Sequence, residues 1–338
     1  MEQSHQPPLR TEQEHEEEVH QRVYQQCRDL VSSLPVEGCC YLEDLCFHSG
    51  FFQPIPFMVG SMMVQKLFEA RPTDIIMATL PKSGTTWLKA LLFATVNRNS
   101  SPSSTGNLAT LNPHQCVPYL EFELYGESRV PDMDSIPSPR LLATHIPFHF
   151  LPNSVVDSGC RVVYLCRNPK DNFVSLWHFI NKFRKKDGQE ALPLEVSFDR
   201  FCQGRSHSGP FWDHMLGYWK ASLQVGGCNV LFMRYEELMK DPAAELRRLA
   251  EFVGCPFTQE EQANGVVEDI VGTCGFDKLS SLEVNKVGKL TLLRTTADNN
   301  IFFRRGVVGD WMNHLTPDMA QRIDKIIESK FEGSGLAP

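Results

Sequence analysis

The chain has 338 residues, of which 42% are hydrophobic and 22% charged; this is ordinary globular composition and enough for a sizeable core in one large domain or two ordinary ones. With 33 Lys and Arg against 41 Asp and Glu the formal net charge is -8, so the surface as a whole repels nucleic acid and anionic lipid, and an anionic ligand needs a local concentration of positive charge. The eleven cysteines stand singly apart from Cys39-Cys40, without a C-x-x-C pair or zinc spacing, and no stretch approaches the roughly 18 apolar residues of a membrane span, which reads as a reduced, cytoplasmic, unanchored protein.

Residues 1 to 15, rich in Gln, Glu, His and Pro, read as a disordered lead-in to a single domain covering 16 to 338. Val19, Val23, Cys27, Leu30 and Val31 then share one face of an expected helix from Glu16 to Leu34, stopped by Pro35. Four short apolar runs follow, Ile75 to Thr79, Leu141 to Thr144, Val162 to Cys166 and Val230 to Met233. Each is a run and not an alternation, as in strands of a parallel sheet covered on both faces. Helix-length segments lie at Thr86 to Val96, Lys170 to Phe183, Ala243 to Val253 and Gln259 to Val271, so the fold class is α/β, a parallel sheet flanked by helices on both faces. Asn97 to Pro113 reads as a long loop, and Glu121 to Asp134 as another irregular segment. From Thr316 a last helix carries Met319, Ile323, Ile326 and Ile327 on one face.

The segment Leu80-Pro81-Lys82-Ser83-Gly84-Thr85-Thr86-Trp87 joins the first strand to a helix. Gly84 permits a tight turn, the helix amino end favours an anion, Lys82 adds a full charge and Ser83, Thr85 and Thr86 add hydroxyls, which together make a P-loop-like cradle for phosphate or sulfate. It is not a Walker A loop, because the lysine precedes the glycine, and no candidate strand ends in the Asp that would hold magnesium. No metal is therefore expected.

A second signal is Arg167-Asn-Pro-Lys-Asp-Asn-Phe-Val-Ser175. Arg167 falls at the carboxyl end of the third strand, where open α/β sheets bind ligands, and Ser175 faces back from the next helix. Residues 161 to 186 hold seven Lys or Arg against Asp171 alone; Lys182 to Lys186 read as a solvated helix face, Arg167 as an anion ligand. Near the carboxyl terminus, Arg304-Arg305-Gly306-Val-Val-Gly309-Asp-Trp311 supplies two guanidinium forks beside flexible backbone. His145 ends the second strand, with the right ordinary pKa to take a proton near neutrality.

These blocks, in this order from about Phe51 to Ile326, resemble the soluble sulfotransferases that use 3′-phosphoadenosine-5′-phosphosulfate (PAPS). The resemblance implies that Lys82, Ser83, Gly84, Thr85, Thr86 and Trp87 bind the 5′-phosphosulfate. It puts Arg167, Ser175, Arg304, Arg305 and Gly306 on the 3′-phosphate, Tyr235 and Phe276 at the adenine, and His145 as general base with Lys82 as its catalytic partner. It also implies a small hydroxyl acceptor of phenolic or flavonoid, hydroxyjasmonate or steroid type. Ala143-Thr144-His145 replaces the Lys-Thr-His of many animal members and looks like the plant branch. The animal dimer segment reads here as Met312, Thr316-Pro317 and Gln321, so a monomer or another dimer mode is expected. Phe51, Phe52, Phe148, Trp177 and Phe179 are candidate acceptor walls, with core packing an equal alternative. An ATP-dependent phosphotransferase and a catalytically silent PAPS-binding protein stay open as the competing classes.

Overall fold

The structure is a computed structural model that describes residues 12–38, 44–99, 106–224, 229–292 and 295–337. All four expected strands form within a residue of their expected bounds: β1 (Ile75–Thr79), β2 (Leu141–Thr144), β3 (Arg161–Cys166) and β4 (Asn229–Arg234). They pair in parallel in the order β2-β1-β3-β4, with Ile75 opposite Leu141 on one side and Arg161 on the other. The chain leaves β1 toward β2 and then crosses back to β3, so a crevice opens beyond the carboxyl ends of β1 and β3.

Successive strand residues point to opposite faces, and both faces are covered. Ile76, Ala78, Leu142, Val162, Tyr164 and Phe232 pack with the helices Ile55–Leu67, Phe211–Ser222 and Pro317–Phe331. Ile75, Met77, Ala143, Val163, Leu165 and Met233 pack with the helices Thr85–Asn97, Pro242–Phe252 and Val266–Cys274. This is why the strands read as unbroken apolar runs. At the amino-terminal edge, Arg140 donates to Asp74 from Nε at 2.8 Å and from Nη2 at 2.5 Å, a buried pair joining the entries of β1 and β2. Removing one partner of such a pair costs about 3–5 kcal/mol. The stabilising ion pair and the ligand edge thus lie at opposite ends of the sheet.

Three readings of the sequence change. The first helix spans Glu12–Ser32, four residues earlier than expected, while residues 1–11 of the lead-in lie outside the described residues, as does Cys39-Cys40. The expected Gln259 to Val271 helix is two, Gln259–Ala263 and Val266–Cys274, because Gly265 turns the backbone at φ +75° between them. The segment expected to be irregular from Glu121 begins with a wide helical turn, Leu120–Leu124, whose N–H groups reach carbonyls five residues back, pressed against the backbone of Gly60: a Cβ there would lie 1.7 Å from the Glu121 carbonyl oxygen.

Candidate active site

The cradle is built by local geometry. After β1 the backbone takes φ +69° at Lys82 and +104° at Gly84, and Gly84 caps the Thr85–Asn97 helix in the left-handed region. A side chain at Gly84 would stand 2.6 Å from the Tyr235 ring, so conformation and space both require glycine. The first intrahelical bond runs from Leu88 N–H to Gly84 C=O, which leaves the Thr85, Thr86 and Trp87 N–H groups without an intrahelical acceptor. A helix amino end with such donors attracts anions.

The three motifs are bolted to one another. Asn172 donates from Nδ2 to Pro81 C=O at 2.8 Å and to Ser83 Oγ at 3.1 Å. Arg167 donates to Lys82 C=O at 3.3 Å and to Val307 C=O at 2.9 Å, with its guanidinium 4.5 Å from the centre of the Tyr235 ring. Buried Asp171 accepts the N–H groups of Gly309 and Trp311 at 2.7 and 3.0 Å. Arg304 and Arg305 both donate to Asp310, whose pKa their hydrogen bonds hold below the usual carboxylate range although burial opposes the shift. The Arg-Asn-Pro-Lys-Asp and Gly-Asp-Trp blocks therefore need each other structurally.

One cavity of about 440 Å³ results, and Lys82, Gly84, Thr85, Thr86, Trp87, His145, Arg167, Ser175, Tyr235, Phe276, Arg304, Arg305 and Gly306 all line it. Ser83 does not; its side chain is buried on Asn172. Gly306, at φ +65°, lets the backbone lie against Phe276, where a Cβ would fall 2.5 Å from the ring. Three buried donors in this space, Arg167 Nε, Arg304 Nε and Trp87 Nε1, have no hydrogen-bond partner among the described residues. Unpartnered buried donors are costly, and their convergence suits an anionic ligand. Lys82 reaches over the Phe179 ring, Nζ 4.3 Å from its centre. Burial, together with Lys182, Arg167 and Arg304, lowers its pKa to about 7. Lys182 is exposed on its helix, as read above, and adds to the positive charge that Lys82 feels.

His145 lines the same cavity, held at three points. Its Nδ1–H donates to Thr79 C=O at 2.6 Å, its N–H to Glu121 at 2.7 Å, and its C=O accepts from His214 Nε2 at 3.1 Å. The first bond fixes the neutral tautomer with Nε2 unprotonated. Burial lowers the His145 pKa to about 3, so the ring is neutral at physiological pH. The Thr79 hydroxyl lies 3.2 Å from Nδ1 and 2.8 Å from Thr85 Oγ1, linking this histidine to the cradle.

Phe57, His114, Tyr119, Phe122 and Phe302 form the cavity's remaining aromatic wall. Phe57 comes from the first turn of the Ile55–Leu67 helix and the others from turns and short helical pieces without periodicity, so no single stretch of sequence signalled them. Of the five aromatics proposed as walls, Phe179 lines the cavity; Phe51 is buried among His149, Phe150 and His214, and Phe52, Phe148 and Trp177 pack on core clusters.

A helix-capped anion cradle at the switch point of a parallel sheet, sharing one cavity with arginines and a neutral histidine, defines an enzyme that transfers an anionic group. The family model described as Sulfotransferase domain matches residues 72–335. Cytosolic sulfotransferase 12 of Arabidopsis thaliana is 47% identical over 315 residues, 92% of this chain and 94% of that protein. Cytosolic sulfotransferase 5 of the same plant is 44% identical over 315 residues, 92% and 96% of the two chains. Among solved structures, an Arabidopsis thaliana protein described as a candidate steroid sulphotransferase superposes with a TM-score of 0.71 at 39% identity, covering 98% of this chain and 99% of that one. The mouse sulfotransferase SULT7A1 complexed with PAP gives 0.67 at 26%, covering 86% and 95%. The chain belongs to the sulfotransferase family, and it is a sulfotransferase enzyme of the plant cytosolic type. No described helix is long and apolar enough to cross a membrane.

Proposed function

We propose that this enzyme moves the sulfuryl group of PAPS to a hydroxyl of a small acceptor of phenolic, hydroxyjasmonate or steroid type. One observation carries this: the buried, unpartnered donors of Trp87, Arg167 and Arg304 line the same cavity as His145. When bound, PAPS supplies the transferable sulfuryl group and a phosphate leaving group. Arg167, Ser175, Arg304 and Arg305 bind the 3′-phosphate, exchanging or sharing the contacts that Asp310 now provides. Lys82 and the helix N–H groups hold the negative charge that grows on the leaving oxygen. His145 takes the acceptor's proton on Nε2, and the ligand's anionic charge opposes the burial that depresses its pKa. The aromatic wall receives the acceptor's apolar body.

Labelled PAPS and labelled ATP, each incubated with the same panel of hydroxylated acceptors, test this. Label transfer from PAPS is expected; transfer from ATP alone ends the reading.

A proton linkage follows from Lys82. Its pKa of about 7 leaves it mostly neutral at pH 8, and phosphate charge in the cavity restores the ammonium. Binding of the product nucleotide 3′-phosphoadenosine-5′-phosphate (PAP) is expected to take up about one proton at pH 8 and clearly less at pH 6. Calorimetric titration in buffers of different ionisation enthalpy reads this directly.

A further inference from the structure

We infer that Glu121 is a positioning residue for the transfer reaction, holding the His145 turn in register with the anion cradle. This rests on the assignment of His145 as base. The Glu121 carboxylate spans the turn at the end of β2: Oε1 accepts His145 N–H at 2.7 Å and Oε2 accepts the Thr144 hydroxyl at 2.9 Å, while that hydroxyl accepts Ile146 N–H at 2.9 Å. Every donor of the turn is thus committed through one side chain. Glu121 is itself immobilised, 1% exposed, with its backbone against Gly60 and its segment bridged to β2 by Ala143 N–H on Pro118 C=O at 2.8 Å.

A wholly buried carboxylate needs a counter-charge. Lys89, fully buried on the helix that begins at the cradle, attracts Glu121 and Glu123, donates to Val117 C=O at 2.6 Å and sits 3.3 Å from the centre of the Tyr119 ring. Tyr119 in turn lies 4.9 Å, ring to ring, from His145. One helix therefore presents the cradle at its first turn and anchors the segment that aims the base at its second.

The carboxylate form is the one this geometry requires. Protonated, or replaced by glutamine, the side chain keeps one acceptor for His145 N–H but presents a donor to the Thr144 hydroxyl, which must take it on its second lone pair and so loses the acceptor for its own proton. The titratable groups around it are Lys89 from the cradle helix, Tyr119 and Glu123 from its own segment and His145 from the strand end; the Ile55–Leu67 helix presents Gly60 there. Burial raises the Glu121 pKa to about 7, against its bonds to His145 and Thr144 and the attraction of Lys89, and burial lowers Lys89 to about 7 as well, so the two titrate as a pair in that range. Turnover limited by the chemical step should therefore fall as pH drops through about 7, reporting loss of the Glu121 carboxylate.

The test measures kcat against pH, with PAP affinity, for the full chain and three variants. Glu121→Gln is expected to lower kcat by about 10²-fold, as misplacement of a reacting group does, to leave PAP affinity unchanged and to abolish the acidic limb. A parental kcat with the limb intact overturns the inference. Should Glu121→Gln not fold, Lys89→Met decides: without its cation the limb moves to higher pH, and a limb that stays in place overturns the inference. His145→Ala separates this claim from the one beneath it. If His145→Ala is inactive while Glu121→Gln is not, positioning by Glu121 alone is refuted. If His145→Ala turns over like the parent, the base assignment falls, and a slow Glu121→Gln then acts otherwise than through His145.

Discussion

His145→Ala is expected to lower kcat by about 10²–10⁴-fold, the usual worth of a positioned general base, while PAP binds as to the parent. The separation is expected because the ring's hydrogen bonds go to Thr79 and its tilted ring contact to Tyr119, with no hydrogen bond to Arg167, Arg304 or Arg305 among the described residues. Filling volume alone should not restore activity. His145→Asn keeps an amide N–H where Nδ1–H meets the Thr79 carbonyl but has no acceptor at the Nε2 position, so it should be as slow as the alanine variant. A kcat close to the parent's in His145→Asn, at saturating PAPS, would mean that Nε2 takes no proton in the rate-limiting step.

Lys82→Met is expected to cost about 10²–10³-fold in kcat, the range found when one preorganised donor to a developing oxyanion is removed. Methionine matches the aliphatic stem over Phe179 and deletes only the charge. Lys82 lies in a desolvated cationic cluster whose members repel one another until an anion enters. Part of its interaction is thus made with bound nucleotide, and part only with charge that develops as the S–O bond breaks. The first should appear as weaker PAP binding and the second as slower single-turnover transfer. A variant that loses PAP affinity but keeps the single-turnover rate would make Lys82 a binding residue only.

The sequence disclosed this architecture unevenly, for physical reasons. The strands were legible because burial on both faces turns a strand into an apolar run, as in Val162 to Cys166, where the residues alternate between two cores. The cradle was legible because Gly84 and Lys82 meet local demands, a positive φ and a charge at a helix start. The second side of the site was not. Glu121 stands in an acidic stretch that resembles solvated loop, and only the approach of Gly60, 61 residues earlier in the chain, and of the His145 turn, 24 later, makes it a buried anchor. Lys89 sits on a helix where lysine ordinarily faces water. Phe57, His114, Tyr119 and Phe302 converge from separate parts of the chain, so no window of sequence contains the wall they form. Lys182 was assigned to solvent and is exposed, yet its charge still acts on Lys82 in the cavity.

One cavity is expected to grip both charged ends of a single nucleotide, and calorimetric titration of the full chain with PAP, 5′-AMP and 3′-AMP reads this directly. PAP should bind tighter than either monophosphate by about 10²-fold or more, since each end adds charge-assisted hydrogen bonds to groups already placed to receive it. Equal affinities for PAP and 5′-AMP would contradict the claim, because Arg167, Arg304 and Arg305 would then be holding nothing at the 3′ end.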